Sequence, residues 1–160
     1  MKRFMILAIA TIFILASSVM VSSQSYQENH RFLGTTVDVS SGGTATDGTH
    51  FNSQDIRISW AGYGNVVAIT ISFTGDGSMD GSDVDFFFQV SYDGGTTWTT
   101  DAYVEVDVAS DAAHSSNVVR HTELVNVHGI SHIRLYQIVN NDSTSGITAC
   151  NAWVSLTTGG

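Results

Sequence analysis

From Thr35 onward, apolar and polar side chains alternate with period two, the pattern of strands that bury one face. Ile56, Ile58 and Trp60 alternate with Asp55, Arg57 and Ser59. Val67, Ile69, Ile71 and Phe73 alternate with Val66, Ala68, Thr70 and Ser72, and Val104, Val106 and Val108 with Tyr103, Glu105 and Asp107. The pattern predicts strands over 35–39, 55–61, 65–74, 84–92, 96–100, 103–109, 118–127, 130–140 and 147–157. The intervening segments, 40–43, 75–81, 93–95, 128–129 and 141–146, are rich in Gly, Ser, Asn and Asp, which is turn chemistry. No stretch after Thr35 repeats at i, i+3 and i+4, so no amphipathic helix is expected there.

Short alternating strands without helices between them predict an all-β fold. The expected form is an antiparallel two-sheet sandwich of jelly-roll type. Parallel α/β architectures need crossover helices and are excluded. No self-similarity at 20–50 residues points to a propeller or solenoid.

The first 23 residues follow another rule. Met1-Lys2-Arg3 is basic, Phe4 to Val21 is almost uninterrupted apolar or small residues, and Ser22-Ser23-Gln24-Ser25 follows. This is the layout of a secretory signal peptide cut at Ser23–Gln24, with an earlier site after Ser18. The stretch is also long enough to span a bilayer as a retained hydrophobic helix. Arg3-Phe4 resembles the processing site of type IV pilins. The small residue usual before that cut is missing, and Ala8 stands where that family carries glutamate. All three readings imply a secreted or cell-surface protein, with membrane contact only through a retained N-terminal segment. The resulting layout is 1–23 export segment, 24–50 extended arm and tether, and 51–160 sandwich domain.

Charge sharpens this picture. Of 160 residues, six are Lys or Arg and 15 are Asp or Glu, and prolines number 0. Without residues 1–23, four arginines face 15 acids, a net charge of -11 with no lysine left. Nucleic acid is excluded as a partner, because counterion release needs clustered Lys and Arg. The single cysteine, Cys150, forms neither an internal disulfide nor a cysteine zinc site, and its alternation with Ala152, Val154 and Leu156 predicts a buried thiol.

Two segments carry defined chemistry. Ser91-Tyr92-Asp93-Gly94-Gly95-Thr96-Thr97-Trp98 resembles the Asp-box of sialidases and other propellers at every defined position. The resemblance implies a structural hairpin turn in which Asp93 bonds backbone amides, Gly95 takes positive φ and Trp98 covers the turn. Sialidases repeat the box and cluster arginines; here there is one box, and Arg31, Arg57, Arg120 and Arg134 are dispersed. Asp76-Gly77-Ser78-Met79-Asp80-Gly81 matches the first half of a calcium loop. Asp83 and Asp85 follow, so Asp76, Ser78, Asp80, Asp83 and Asp85 form a candidate Ca²⁺ ligand set. Phe87 occupies the twelfth position, where a bidentate glutamate belongs. The competing reading is a loop whose side chains cap its own backbone.

Other constellations are weaker. His114, His121, His128 and His132 lie close in sequence, but no carboxylate sits at a metal-ligand offset. No Gly-x-Ser-x-Gly elbow is present, and no convergent catalytic set is visible, so an enzyme is not expected. Asn141-Asp142-Ser143 is a glycosylation sequon.

The Asp-box hairpin, Gly129-Ile130-Ser131-His132-Ile133-Arg134-Leu135-Tyr136, Asn140-Asn141-Asp142-Ser143-Thr144 and Trp153-Val154-Ser155-Leu156 resemble segments of β-sandwich domains in phage virion proteins and exported surface proteins. The resemblance implies a structural or adhesive role. The leading expectation is an exported subunit that polymerises into a filament or surface layer. Its arm, carrying Thr35, Val37 and Val39, would be donated to a neighbour's sheet edge. The alternatives are a glycan-binding module, calcium-dependent where the acidic loop holds the ion, with Phe87, Tyr136 and Trp153 as its aromatic face, and a phage virion protein.

Overall fold

The computed structural model describes residues 27–58, 65–109 and 116–157. The export segment, Trp60 and His114 lie outside them. Ten strands are formed: β1 (Gln27–Arg31), β2 (Val37–Val39), β3 (Thr44–Thr46), β4 (Ile56–Arg57), β5 (Val66–Asp76), β6 (Asp83–Ser91), β7 (Val104–Ala109), β8 (Val118–Asn126), β9 (His132–Asn140) and β10 (Gly146–Thr157). The first sheet runs β1-β10-β5-β8, with β2 also on β10; the second runs β3-β9-β6-β7, with β4 also on β9. Every pairing within the two sheets is antiparallel. Strands consecutive in the chain repeatedly change sheet, and this order is the two-Greek-key path of a jelly roll.

Alternation sets the core. Val67, Ile69, Ile71 and Phe73 of β5, Val84, Phe86, Phe88 and Val90 of β6, and Ile133, Leu135 and Ile138 of β9 are buried between the sheets. Phe73 stacks on Phe86 at 6.4 Å, and Phe88 meets Phe32 at 5.0 Å. Cys150 is buried there, and burial, helped by the Asp38 charge, pushes its thiol up to about 12.

Three expectations need correction. Residues 27–50 are not a free arm and tether: β1 and β2 pair with β10 and β3 with β9, so the sandwich begins at least at Gln27. Thr35 precedes β2, Val37 and Val39 are buried in their own subunit's core, and the arm completes its own sheet. Burial of Phe32, Leu33, Val37 and Val39 drives this, together with hydrogen bonding of β1 along an otherwise open edge of β10. Second, 96–100 is no strand, because the Thr96 and Thr97 amides turn to Asp93, leaving Thr99 to meet β6 through its amide on Val90 O at 3.0 Å. Third, the strand expected over 55–61 is regular only at Ile56–Arg57 within the described residues.

Candidate functional site: two polar loop clusters and an open sheet edge

The β6–β7 connection is built on one carboxylate. Asp93 Oδ1 accepts from the amides of Thr96 at 3.1 Å and Thr97 at 2.9 Å, and Oδ2 accepts from the Thr97 hydroxyl at 2.7 Å. Ser91 donates its hydroxyl to Asp93 at 2.7 Å and accepts from the Gly95 amide at 2.9 Å. Gly94 at φ +81° and Gly95 at φ +89° occupy the left-handed region that a side chain would strain. The bonds from Thr97 and Ser91 hold the Asp93 carboxyl down at about 2, the ionised acceptor these donors need. Trp98 folds back over the Arg134 guanidinium at 4.3 Å, and Arg134 also donates to Gln89 Oε1 at 2.8 and 3.2 Å. The Asp93 and Ser91 bonds close the turn on itself, and the Trp98–Arg134 contact holds it to β9. Asp93→Ala is expected to lower the melting temperature by about 5 °C in a thermal scan; an unchanged melting temperature would contradict the structural role.

A second cluster ties the β5–β6 loop to the β9–β10 loop. Asp80 Oδ2 accepts from the amide and hydroxyl of Ser143 at 3.0 and 2.7 Å, and Oδ1 accepts from the Ser82 amide at 2.9 Å. These donors, Ser82 foremost, hold the Asp80 carboxyl well below the usual range. Asp142 has no exposed surface and accepts from the amides of Asp80 at 2.6 Å, Thr144 at 2.9 Å and Ser145 at 2.7 Å. Burial alone would raise its pKa, but the hydrogen bonds outweigh it and the carboxyl sits below its ordinary value. Asp85 lies on the neighbouring strand face, where burial raises its pKa despite the Asn141 amide donated at 2.8 Å. That same Asn141 nitrogen is the acceptor atom of the sequon.

The five residues of the candidate calcium set do not converge in this geometry. Asp80 is turned to Ser82 and Ser143, Asp85 to Asn141, and the Ser78 carbonyl accepts from Thr144 at 2.8 Å. Asp76 and Asp83 are exposed at the ends of β5 and β6. Among the described residues, no three His, Cys, Asp or Glu side chains come together to hold a metal ion. The loop's partners come largely from Asn141 to Ser145, some sixty positions away.

The glycan candidates are divided as well. Phe87 and Tyr136 are half-buried on adjacent strands of the second sheet, where Tyr136 is the extra residue of a β-bulge opposite Phe87 and Phe88. Trp153 lies on the other sheet, on β10, with the Arg31 guanidinium 5.9 Å from its ring. An open cleft of about 550 Å³ lies between Gly34–Asp38 and His50–Asn52.

What sequence reasoning missed is the free edge of the first sheet. Among the described residues β8 has one neighbouring strand, β5. Its outer face carries Val118, 66 % exposed, and Leu124, 72 % exposed. Val66 of β5 is 49 % exposed and lies diagonally across from Leu124, and Tyr103, 43 % exposed, approaches the end of β8. The signal was present: Val118 and Leu124 occupy the positions opposite in phase to Val119 and Val125.

No protein-family model matches the chain, and no curated protein matches it. Among solved structures, the chain is similar to the capsid protein in the infectious bursal disease virus VP2 subviral particle, at 16 % identity and TM-score 0.48, covering 87 % of this chain and 34 % of that one. It is similar to vertex protein P5 of PRD1, at 6 % identity and TM-score 0.38, covering 84 % and 95 %. A third is the carbohydrate-binding module of Cellvibrio mixtus lichenase 5A in complex with cellotriose, at 15 % identity and TM-score 0.38, covering 86 % and 88 %. The chain thus spans about a third of the length of the bursal disease virus chains it resembles.

Proposed function

We propose that this chain is an exported structural subunit that builds an extracellular assembly from copies of itself, as a filament, a surface layer or a virion shell. The observation that carries this reading is the exposed apolar rim of Val66, Tyr103, Val118 and Leu124 around the open edge strand β8. A nine-residue edge strand is a template for pairing, and monomeric sandwiches blunt such edges with Lys, Pro or bulges. β8 contains no Lys, Pro or bulge, and its charges are one of each sign, Arg120 on the outer face and Glu123 on the core-facing side. Large exposed side chains grouped along one edge mark an interaction surface more than a solvated one. The arm is already used in its own sheet, so the reading rests on β8 rather than on strand donation. Basic start, apolar stretch and small-residue exit support export.

Sedimentation and negative-stain microscopy of the exported protein test the proposal. Ordered, concentration-dependent assemblies are expected. A monomer at millimolar concentration overturns it and favours the glycan-binding alternative, which would then use Trp153 or the Phe87–Tyr136 pair as separate sites.

A further inference from the structure

We infer that β8 pairs antiparallel with β8 of a second copy about a two-fold axis through Thr122, joining the two first sheets into one. The inference rests on the self-assembly reading and specifies one of its contacts, since a two-fold contact by itself closes a dimer and extended assembly needs a second. The Val127 amide donates to Asn65 O at 2.7 Å, one step beyond the Val66–Asn126 pair. Hydrogen-bonded and non-hydrogen-bonded pairs alternate along an antiparallel ladder, so Val119, His121, Glu123 and Val125 turn their backbone groups toward β5. Those of Arg120, Thr122 and Leu124 therefore line the free edge. The end of that edge is already marked by a donor, since the Tyr103 hydroxyl reaches Asn126 O at 3.4 Å.

Side chains select the register. For the sheets to join face to face, odd positions must meet odd positions and even positions must meet even ones. With the axis at Thr122, Val119 meets Val125 of the second copy, and His121 meets Glu123 of the second copy, each contact occurring twice. Arg120 lies beside Leu124 of the second copy, its stem against the most exposed apolar side chain of the rim. The His121–Glu123 contacts fall in non-hydrogen-bonded pairs, where side chains are closer. An axis one residue on, at Glu123, sets two carboxylates against each other. An axis at His121 sets imidazole against imidazole and leaves Glu123 opposite Val119. Only the Thr122 axis among these three joins opposite chemistry on the core-facing side and sets the buried Val119 and Val125 side by side. On the outer face Leu124 lies beside Arg120 and diagonal to Val118 of the second copy, and Val118 beside Asn126.

The test is a charge exchange read by sedimentation velocity over a dilution series of the exported chain. Glu123→Arg and His121→Glu, each alone, should raise the dimer dissociation constant about tenfold, because each turns two favourable contacts unfavourable. The double variant H121E/E123R restores opposite pairs and should return within about threefold of the parent, which also shows that the strand still folds. Singles that leave the constant unchanged, or a double as weak as the singles, overturn the β8 pairing. If ordered assemblies persist through both singles, the pairing fails while the structural-subunit reading stands; a parent that never associates overturns both.

Discussion

Replacing Asp142 with alanine is expected to destabilise the fold by about 3 kcal/mol, lowering the melting temperature by about 10 °C. The side chain is small, so the effect comes from the donors it leaves behind. The amides of Asp80, Thr144 and Ser145 and the Thr144 hydroxyl all point at this carboxylate. The Asp142 carbonyl in turn accepts from the Gly42 amide at 2.8 Å and the Ser41 hydroxyl at 3.1 Å. Three loops, β2–β3, β5–β6 and β9–β10, are thus joined at one residue. Asp142→Asn keeps one oxygen acceptor and should lose roughly half as much. A thermal scan in which Asp142→Ala matches the parent would mean that the loops are held by other contacts.

The same group makes a pH prediction with a defined sign. Asp142, Asp80 and Asp93 all have folded-state pKa values below the ordinary carboxylate value. Each contributes stability that is present above its unfolded pKa of about 4 and is lost as pH falls through the folded value. Asp85 has the opposite shift, so its contribution is present at low pH and lost as pH rises through its folded pKa. Three lowered groups against one raised group predict a falling melting temperature between about pH 4 and pH 2. Asp142→Ala should make that fall shallower, since one of its contributors is gone.

How far the sequence discloses the fold depends on the length of each element. β5 through β10 are six to twelve residues long and overlap the expected ranges. β5, β6 and β7 alternate with period two, β9 and β10 alternate until an irregularity shifts their phase, and β8 carries apolar side chains in both phases. β3 has three residues, too few for any period to show, and β4 is a two-residue piece of the alternating stretch 55–61. β1, Gln-Glu-Asn-His-Arg, is polar on both faces because edge pairing with β10, rather than burial, makes it a strand. The loops divide similarly. The Asp93 turn closes within eight residues and is readable as a local motif, whereas Asp80 and Asp142 meet only after the chain has passed through both sheets. Local spacing made the acidic loop resemble a cation site because a carboxylate that awaits Ca²⁺ and one that awaits backbone amides look identical in one dimension. Asn140 and Asp142 are fully buried polar residues, and their partners, Ser40, Ser145 and Asp80, cannot be assigned without the topology.

The N-terminal segment provides the largest expected effect. Removing residues 24–39 should abolish folding outright, rather than release a folded monomer as a donated arm would. The deletion takes Phe32, Leu33, Val37 and Val39 out of the core and strips both β1 and β2 from β10. Each buried side chain of this size contributes roughly 1.5–3 kcal/mol on burial, and four together approach the whole stability of a single domain. Phe32→Ala isolates the strongest contact. Its ring has no exposed surface and lies 5.0 Å from Phe88, and its carbonyl accepts from the Gln54 amide at 2.7 Å, an interaction the substitution keeps. The lost ring should cost about 4 kcal/mol, read as a lowered denaturant midpoint at unchanged slope. Phe32→Leu fills most of the space and should cost less than half of that. A chain lacking 24–39 that shows a cooperative transition, with Phe32→Ala as stable as the parent, would mean that the segment is exchangeable between subunits. Strand donation would then return as the mode of assembly.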